Sequence, residues 1–158
     1  MKVSVFYSWQ SDLPNTKNRG FIQDAIEKAL RNIYSVNKSM TEYVVESDSR
    51  NEVGTPDLVE SIFNKIDACD IFIADISIVN SIHNDDIIYR KTPNPNVLFE
   101  LGYASKAIGW PRIISVFNLE FAQIEDLPFD IRTRKPIVYD TRQEKSNQKK
   151  RLVSILES

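Results

Sequence analysis

Residues 70–76 read Asp70-Ile71-Phe72-Ile73-Ala74-Asp75-Ile76. A continuous apolar run this short predicts a strand buried on both faces, as in the middle of a parallel sheet. Toward the N-terminus, residues 3–7 form another short apolar run rich in β-formers. Residues 8–19 are polar and hold Pro14, which predicts a loop. Phe21, Ile22, Ala25, Ile26, Ala29, Leu30, Ile33 and Tyr34 then recur at helical spacing. Residues 42–46, around Tyr43-Val44-Val45, read as a second strand, and the polar stretch 48–56 as a loop. Thr55 and Pro56 suit the N-cap and first position of a helix carrying Leu58, Val59, Ile62, Phe63 and Ile66.

Toward the C-terminus, residues 77–93 make a long connection, of a length that is usually functional or disordered. Asn94-Pro95 starts a third helix that runs to Ile108, with Gly109 as its C-terminal stop. Residues 112–117 and 136–139 read as fourth and fifth strands, with 118–134 irregular between them. The stretch 141–158 is charged but carries Leu152, Val153, Ile155 and Leu156. It reads as a closing helix, or as the start of a linker, after a domain spanning 1–140. Alternating strands and helices predict an α/β fold: a flavodoxin-like, doubly wound, five-stranded parallel sheet of order 2-1-3-4-5. Ligands of such sheets bind beyond the carboxyl ends of the strands, where the strand order reverses. Here that point lies between the first and third strands, where loops 8–19 and 77–93 meet.

Composition narrows the function. The chain has 158 residues, suited to one domain, and its 20 basic residues nearly cancel its 22 acidic ones. That balance argues against bulk electrostatic binding to nucleic acid or an anionic membrane. Cys69 is the sole cysteine, which excludes an internal disulfide and fits a reducing compartment. With His83 the sole histidine, a zinc site of nitrogen and sulfur ligands is not expected. No secretory signal and no apolar run of about 20 residues is present, so a cytoplasmic location is expected. Four glycines, with no GxGxxG, GxxxxGK[ST] or GxSxG, exclude dinucleotide-fingerprint, P-loop and serine-hydrolase readings.

Glu100 stands out within Asn94-Pro95-Asn96-Val97-Leu98-Phe99-Glu100-Leu101-Gly102. An unpaired carboxylate among apolar neighbours is costly to bury, so it must reach a cleft or find a partner. Either it is catalytic, or it caps or bridges a neighbouring loop. Asp75, at the end of the third strand, is placed to contact a ligand or to cap the next turn. Asn94 and Asn96 suit ligand hydroxyls, though helix capping alone accounts for Asn94. The first loop offers Ser8, Trp9, Gln10, Ser11 and Asp12; the Trp9 ring stacks on a base or covers the edge of the core. Arg19 and Arg50 have the planar forks that meet phosphates, as surface arginines or as ligands, and Asp48 shares the rim with Arg50.

Three stretches carry a resemblance: VFYSWQSD (5–12), FIADIS (72–77) and, above all, NPNVLFELGYASKAIG (94–109). Over residues 2–139 the chain resembles the bacterial TIR-like (Toll/interleukin receptor) nucleotide-binding domains. The resemblance implies cleavage of NAD at the nicotinamide–ribose bond, with NAD as substrate, no cofactor, and Glu100 as the catalytic glutamate. It implies that the loop 48–56 borders the site. Substrate would then be held by Tyr7, Ser8, Trp9, Asp12, Asp48, Arg50, Asp75 and Asn96. It further implies self-association or a fused sensor domain, and a role in antiviral defence. The FELGYA stretch is similar also to nucleoside deoxyribosyltransferases, which use a glutamate at an N-glycosidic bond. Many animal TIR adaptors, by contrast, use the fold only to bind one another. The two enzyme readings share one bond type. Nicotinamide in NAD is cationic and departs neutral, so one anion near the ribose suffices for the chemistry.

Overall fold

The computed structural model describes residues 2–36, 42–47, 58–81 and 89–158. Its elements are β1 (Lys2–Ser8), α1 (Arg19–Val36), β2 (Glu42–Ser47), α2 (Leu58–Ala68), β3 (Ile71–Asp75), α3 (Pro95–Ala107), β4 (Ile113–Asn118), α4 (Phe129–Arg132), β5 (Ile137–Tyr139) and α5 (Lys145–Leu156). The five strands form one sheet in the order β2-β1-β3-β4-β5, and every pairing is parallel. This is the expected doubly wound α/β architecture. The helix-start reading of Thr55 and Pro56 lies outside the described residues.

Alternation along the strands builds two cores, one on each face of the sheet. Val5, Tyr7 and Ile73 point toward α1 and pack with Phe21, Ile22, Ile26 and Leu30. Phe6, Phe72 and Ala74 point the other way and pack with Ile62, Ile66, Val97 and Leu101 of α2 and α3. β3 supplies both cores, which is why it is apolar at every position from Ile71 to Ala74. The same alternation decides where the polar residues at the strand ends point.

Segment 118–134 contains more regular structure than its sequence suggested. A single 3-10 turn covers Ile124–Asp126, and α4 follows at Phe129–Arg132. Both are too short to show a period. The connection after β3 is closed at its base. Ile78 bridges Pro93, the Val79 N–H donates to the Thr92 carbonyl at 3.1 Å, and Asn80 Oδ1 accepts the Thr92 N–H at 2.8 Å. After α3, Gly109 adopts φ 81° and ψ 152°, a positive-φ conformation that glycine takes without the Cβ penalty of other residues. Among the described residues no helix is long and apolar enough to cross a membrane.

Candidate active site

α3 is the element that sets the site. Asn94 accepts the N–H groups of Asn96 and Val97 on its Oδ1, at 2.9 and 3.3 Å, and Pro95 occupies the first turn. The side chain thereby satisfies two of the donors that a helix start leaves open. Asn94 Nδ2 also donates to Asp12 Oδ2 at 2.7 Å, tying the first loop to the helix. Both roles therefore fall to one residue: it caps the helix and fixes the loop over it.

From that start, Val97, Glu100, Leu101 and Ala104 form the buried stripe of α3. The spacing of three and four places all four on one face. Glu100 is only 4% exposed, yet it sits on the stripe that faces the sheet. Ser8, the last residue of β1, is fully buried and donates its hydroxyl to Glu100 Oε2. This bond places Glu100 at the carboxyl end of β1. Ser8 lies two residues beyond Phe6, so it shares the α2–α3 side of the sheet.

A cleft of about 190 Å³ opens between α2 and α3. Leu58, Val59, Ile62 and Phe63 of α2 line one wall. Asn96, Phe99 and Glu100 of α3 line the other, so Glu100 contributes to the wall of a recess that is otherwise mostly apolar. Asn96 is exposed, one turn before Glu100 on the same side of the helix. Larger hollows of about 540 and 580 Å³ lie elsewhere, the first beside Asp24 and Lys149 and the second beside Lys91 and Asp126; Glu100 lines neither.

Asp75 does not join Ser8 and Glu100. It follows Ile73 by two residues and projects toward the α1 side. There it is fully buried. Its Oδ2 accepts Gln10 Nε2 at 2.9 Å and Asn18 Nδ2 at 3.0 Å, and its Oδ1 accepts the Ser77 N–H at 3.0 Å. Burial pushes its pKa above the ordinary carboxylate value, against the downward pull of these hydrogen bonds. The turn-capping alternative thus describes what Asp75 does in the structure. The network continues through Asn118, whose Nδ2 donates to Asn18 Oδ1 at 3.1 Å and to Thr141 Oγ1 at 2.8 Å. Asn18, Ser77, Asn118 and Thr141 were not singled out from the sequence. Their signal was a polar residue placed directly after, or opposite, an apolar strand.

Tyr7 and Trp9 also belong to the α1-side core. Tyr7 is fully buried and its hydroxyl donates to the Arg19 carbonyl at 3.3 Å. Burial, reinforced by the nearby Asp75, pushes its phenol well above the ordinary range. Trp9 is buried, with the Arg19 guanidinium 3.5 Å from its ring centroid. The structure therefore gives Trp9 its core-edge role and gives Arg19 a stacking role. Alternation is the reason for this separation: odd positions 5, 7 and 9 point away from Glu100, and even positions 6 and 8 point toward it. Asp12 is exposed and reaches α3 through Asn94. Asp48, Arg50 and the loop 48–56 lie outside the described residues. Among the described residues there is no group of three or more metal-ligating side chains.

No protein-family model matches the chain. No curated protein matches it either. Among solved structures it is similar to a 2-desoxiribosyltransferase from Leishmania mexicana, at 20% sequence identity and a TM-score of 0.40. That similarity covers 73% of this chain and 64% of the other, so this chain spans less than two thirds of that protein's length.

Proposed function

We propose that this protein cleaves an N-glycosidic bond between a ribose and a base in a nucleoside or nucleotide, with Glu100 as the catalytic carboxylate. The observation that carries the reading is the position of Glu100. It is a buried glutamate at the topological switch point, held by Ser8 and lining a recess. The bond from the ribose anomeric carbon to the base nitrogen breaks, and its electron pair leaves with the base. The anomeric centre becomes oxocarbenium-like. An ionised Glu100 either stabilises that charge or forms a glycosyl ester that water then opens. Water supplies the oxygen that ends on the anomeric carbon, and the proton it gives up goes to the departing base of a nucleoside, or to solvent when nicotinamide leaves neutral. Ser8 holds one carboxylate oxygen, which limits rotation of the side chain and spares the reaction that ordering cost.

Within this class, the TIR-like resemblance of residues 94–109 selects NAD, whose nicotinamide leaves without protonation. The FELGYA stretch selects nucleosides, with transfer or hydrolysis of the sugar. Self-association is the accompanying expectation for the TIR-like reading, so the assay belongs at high protein concentration. Purified protein is incubated separately with NAD, inosine and deoxyinosine, and the free base and sugar product are separated and quantified. Base release by the wild type that falls about 100-fold or more in Glu100→Gln is the expected result. The substrate that yields base then decides between the two members of the class. If none of the three releases base in the wild type, the enzymatic reading fails and an interaction module takes its place.

A further inference from the structure

The stripe of α3 next to the buried one carries Asn96, Phe99 and Tyr103, at spacings of three and four. It faces α2. Tyr103 stacks on Phe63 with centroids 3.9 Å apart and planes 9° apart, and its hydroxyl donates to Asp67 at 2.9 Å. Phe63 is therefore held in place. Phe99 tilts against the same ring, 5.6 Å away, and remains 62% exposed. Large aromatic side chains gain by burial. Phe99 forgoes much of that gain while standing one residue from Glu100 at the mouth of the same recess.

We propose that Phe99 is the platform on which the base of the substrate stacks, with Phe63 fixing the platform from behind and the α2–α3 cleft receiving one planar ring system. This rests on the N-glycosidic reading given above. The reaction centre must come within van der Waals reach of the Glu100 carboxylate. A base attached to that centre then lies within one ring's width of it, and the recess lined by Glu100 is apolar and aromatic there. The cleft, at about 190 Å³, is smaller than the roughly 300–1,000 Å³ of pockets that enclose drug-sized ligands. It suits a base alone, with the remainder of a nucleotide outside it.

The test uses the full chain and the substrate that the base-release assay identifies. Phe99→Ala and Phe99→Leu remove the ring, the second keeping an apolar cover; Phe99→Trp restores a stacking face. Loss of stacking is expected to raise KM by about tenfold in both of the first two variants, with kcat little changed and KM recovered in the tryptophan variant. Wild-type kinetics in Phe99→Ala, or full rescue by leucine, would overturn the platform while leaving the enzymatic reading intact. A second readout serves if no base is released. Nicotinamide and adenine are each titrated into methyl-labelled protein, and the Leu58, Val59 and Ile62 signals are followed. Shifts that disappear in Phe99→Ala support a base site without catalysis; no shift with either base overturns the site as well.

Discussion

At the scale of single residues, the two carboxylates that attract attention in the sequence have different surroundings. Glu100 meets a hydroxyl beside a recess, whereas Asp75 is surrounded by donors that the fold itself supplies. Their residue types were legible, but their directions were not, because a strand reverses direction at every step and one position separates the two cores. The Asp75 network is also directional. Gln10 Oε1 already accepts the Leu13 N–H at 2.9 Å, and Asn18 Oδ1 accepts Asn118, so neither amide can turn round without losing a bond. In either orientation the amide of Asp75→Asn would set a donor against a donor, facing Gln10 and Asn18 or the Ser77 N–H, and a cost of about 1–3 kcal/mol is expected at neutral pH. The pH dependence has a definite sign. Asp75 has its folded pKa raised above the unfolded value of about 3.9. The folded wild type therefore holds the extra proton between those two values and loses stability as pH rises through them. Asparagine has no such proton. The stability gap between wild type and Asp75→Asn should widen as pH falls from 7 toward 4, as read by urea unfolding at each pH. A gap that stays constant would show that Asp75 does not carry a raised pKa.

At the scale of elements, most of the architecture could be read from the chain. The apolar run 71–74 marked the central strand because both of its faces are covered, and Asn94-Pro95 marked α3 because capping needs that chemistry. The positions of short helical turns in 118–134 and the polar ties between strand ends were not readable. Those ties depend on which strands become neighbours, and sequence spacing does not contain that information. One such tie joins β5 to α5. The Asp140 N–H donates to Gln148 Oε1 at 3.0 Å, while the Asp140 carboxylate accepts Arg142 Nε at 2.9 Å and the other guanidinium nitrogen at 2.6 Å. The Arg142 hydrogen bonds hold Asp140 below the ordinary carboxylate range, against a partial burial that acts upward. A lowered folded pKa means stability that is present above the unfolded value of about 3.9 and lost as pH falls through the folded one. Asp140→Asn should therefore be the less stable protein at neutral pH, and its deficit should close below about pH 4. The effect is small, since Arg142 is more than half exposed. Its trend is opposite to that of Asp75→Asn, so measuring both series in one buffer set separates a raised carboxyl from a lowered one.

At the scale of the whole molecule, the sheet separates the candidate chemistry from much of what stabilises the fold. Ser8, Glu100 and the cleft lie on the α2–α3 side, while α5 packs on α1 across the sheet. α5 buries Leu152 and Val153 in the same core as Phe21, Ile22 and Tyr139. Each such side chain contributes roughly 1.5–3 kcal/mol on burial, a large share of the roughly 5–15 kcal/mol by which domains are stable. A chain ending at Asp140 would also leave Gln148's partner, the Asp140 N–H, without its acceptor, and would uncover the aromatic face formed by Phe21 and Tyr139, stacked 5.0 Å apart. Such a truncation is expected to lose cooperative urea unfolding and near-ultraviolet dichroism. The milder variant Leu152→Ala should keep the fold at a cost of about 2–5 kcal/mol. Because the sheet lies between this side chain and Glu100, Leu152→Ala should leave KM unchanged at temperatures where it is fully folded. A truncated chain that unfolds at the wild-type midpoint would make α5 an appendage. A Leu152→Ala protein that is folded but altered in KM would instead show that packing on the α1 side reaches the cleft through the sheet. The natural route for that coupling is the first loop, which is pinned to Asp75 by Gln10 on one side and to α3 through Asp12 and Asn94 on the other.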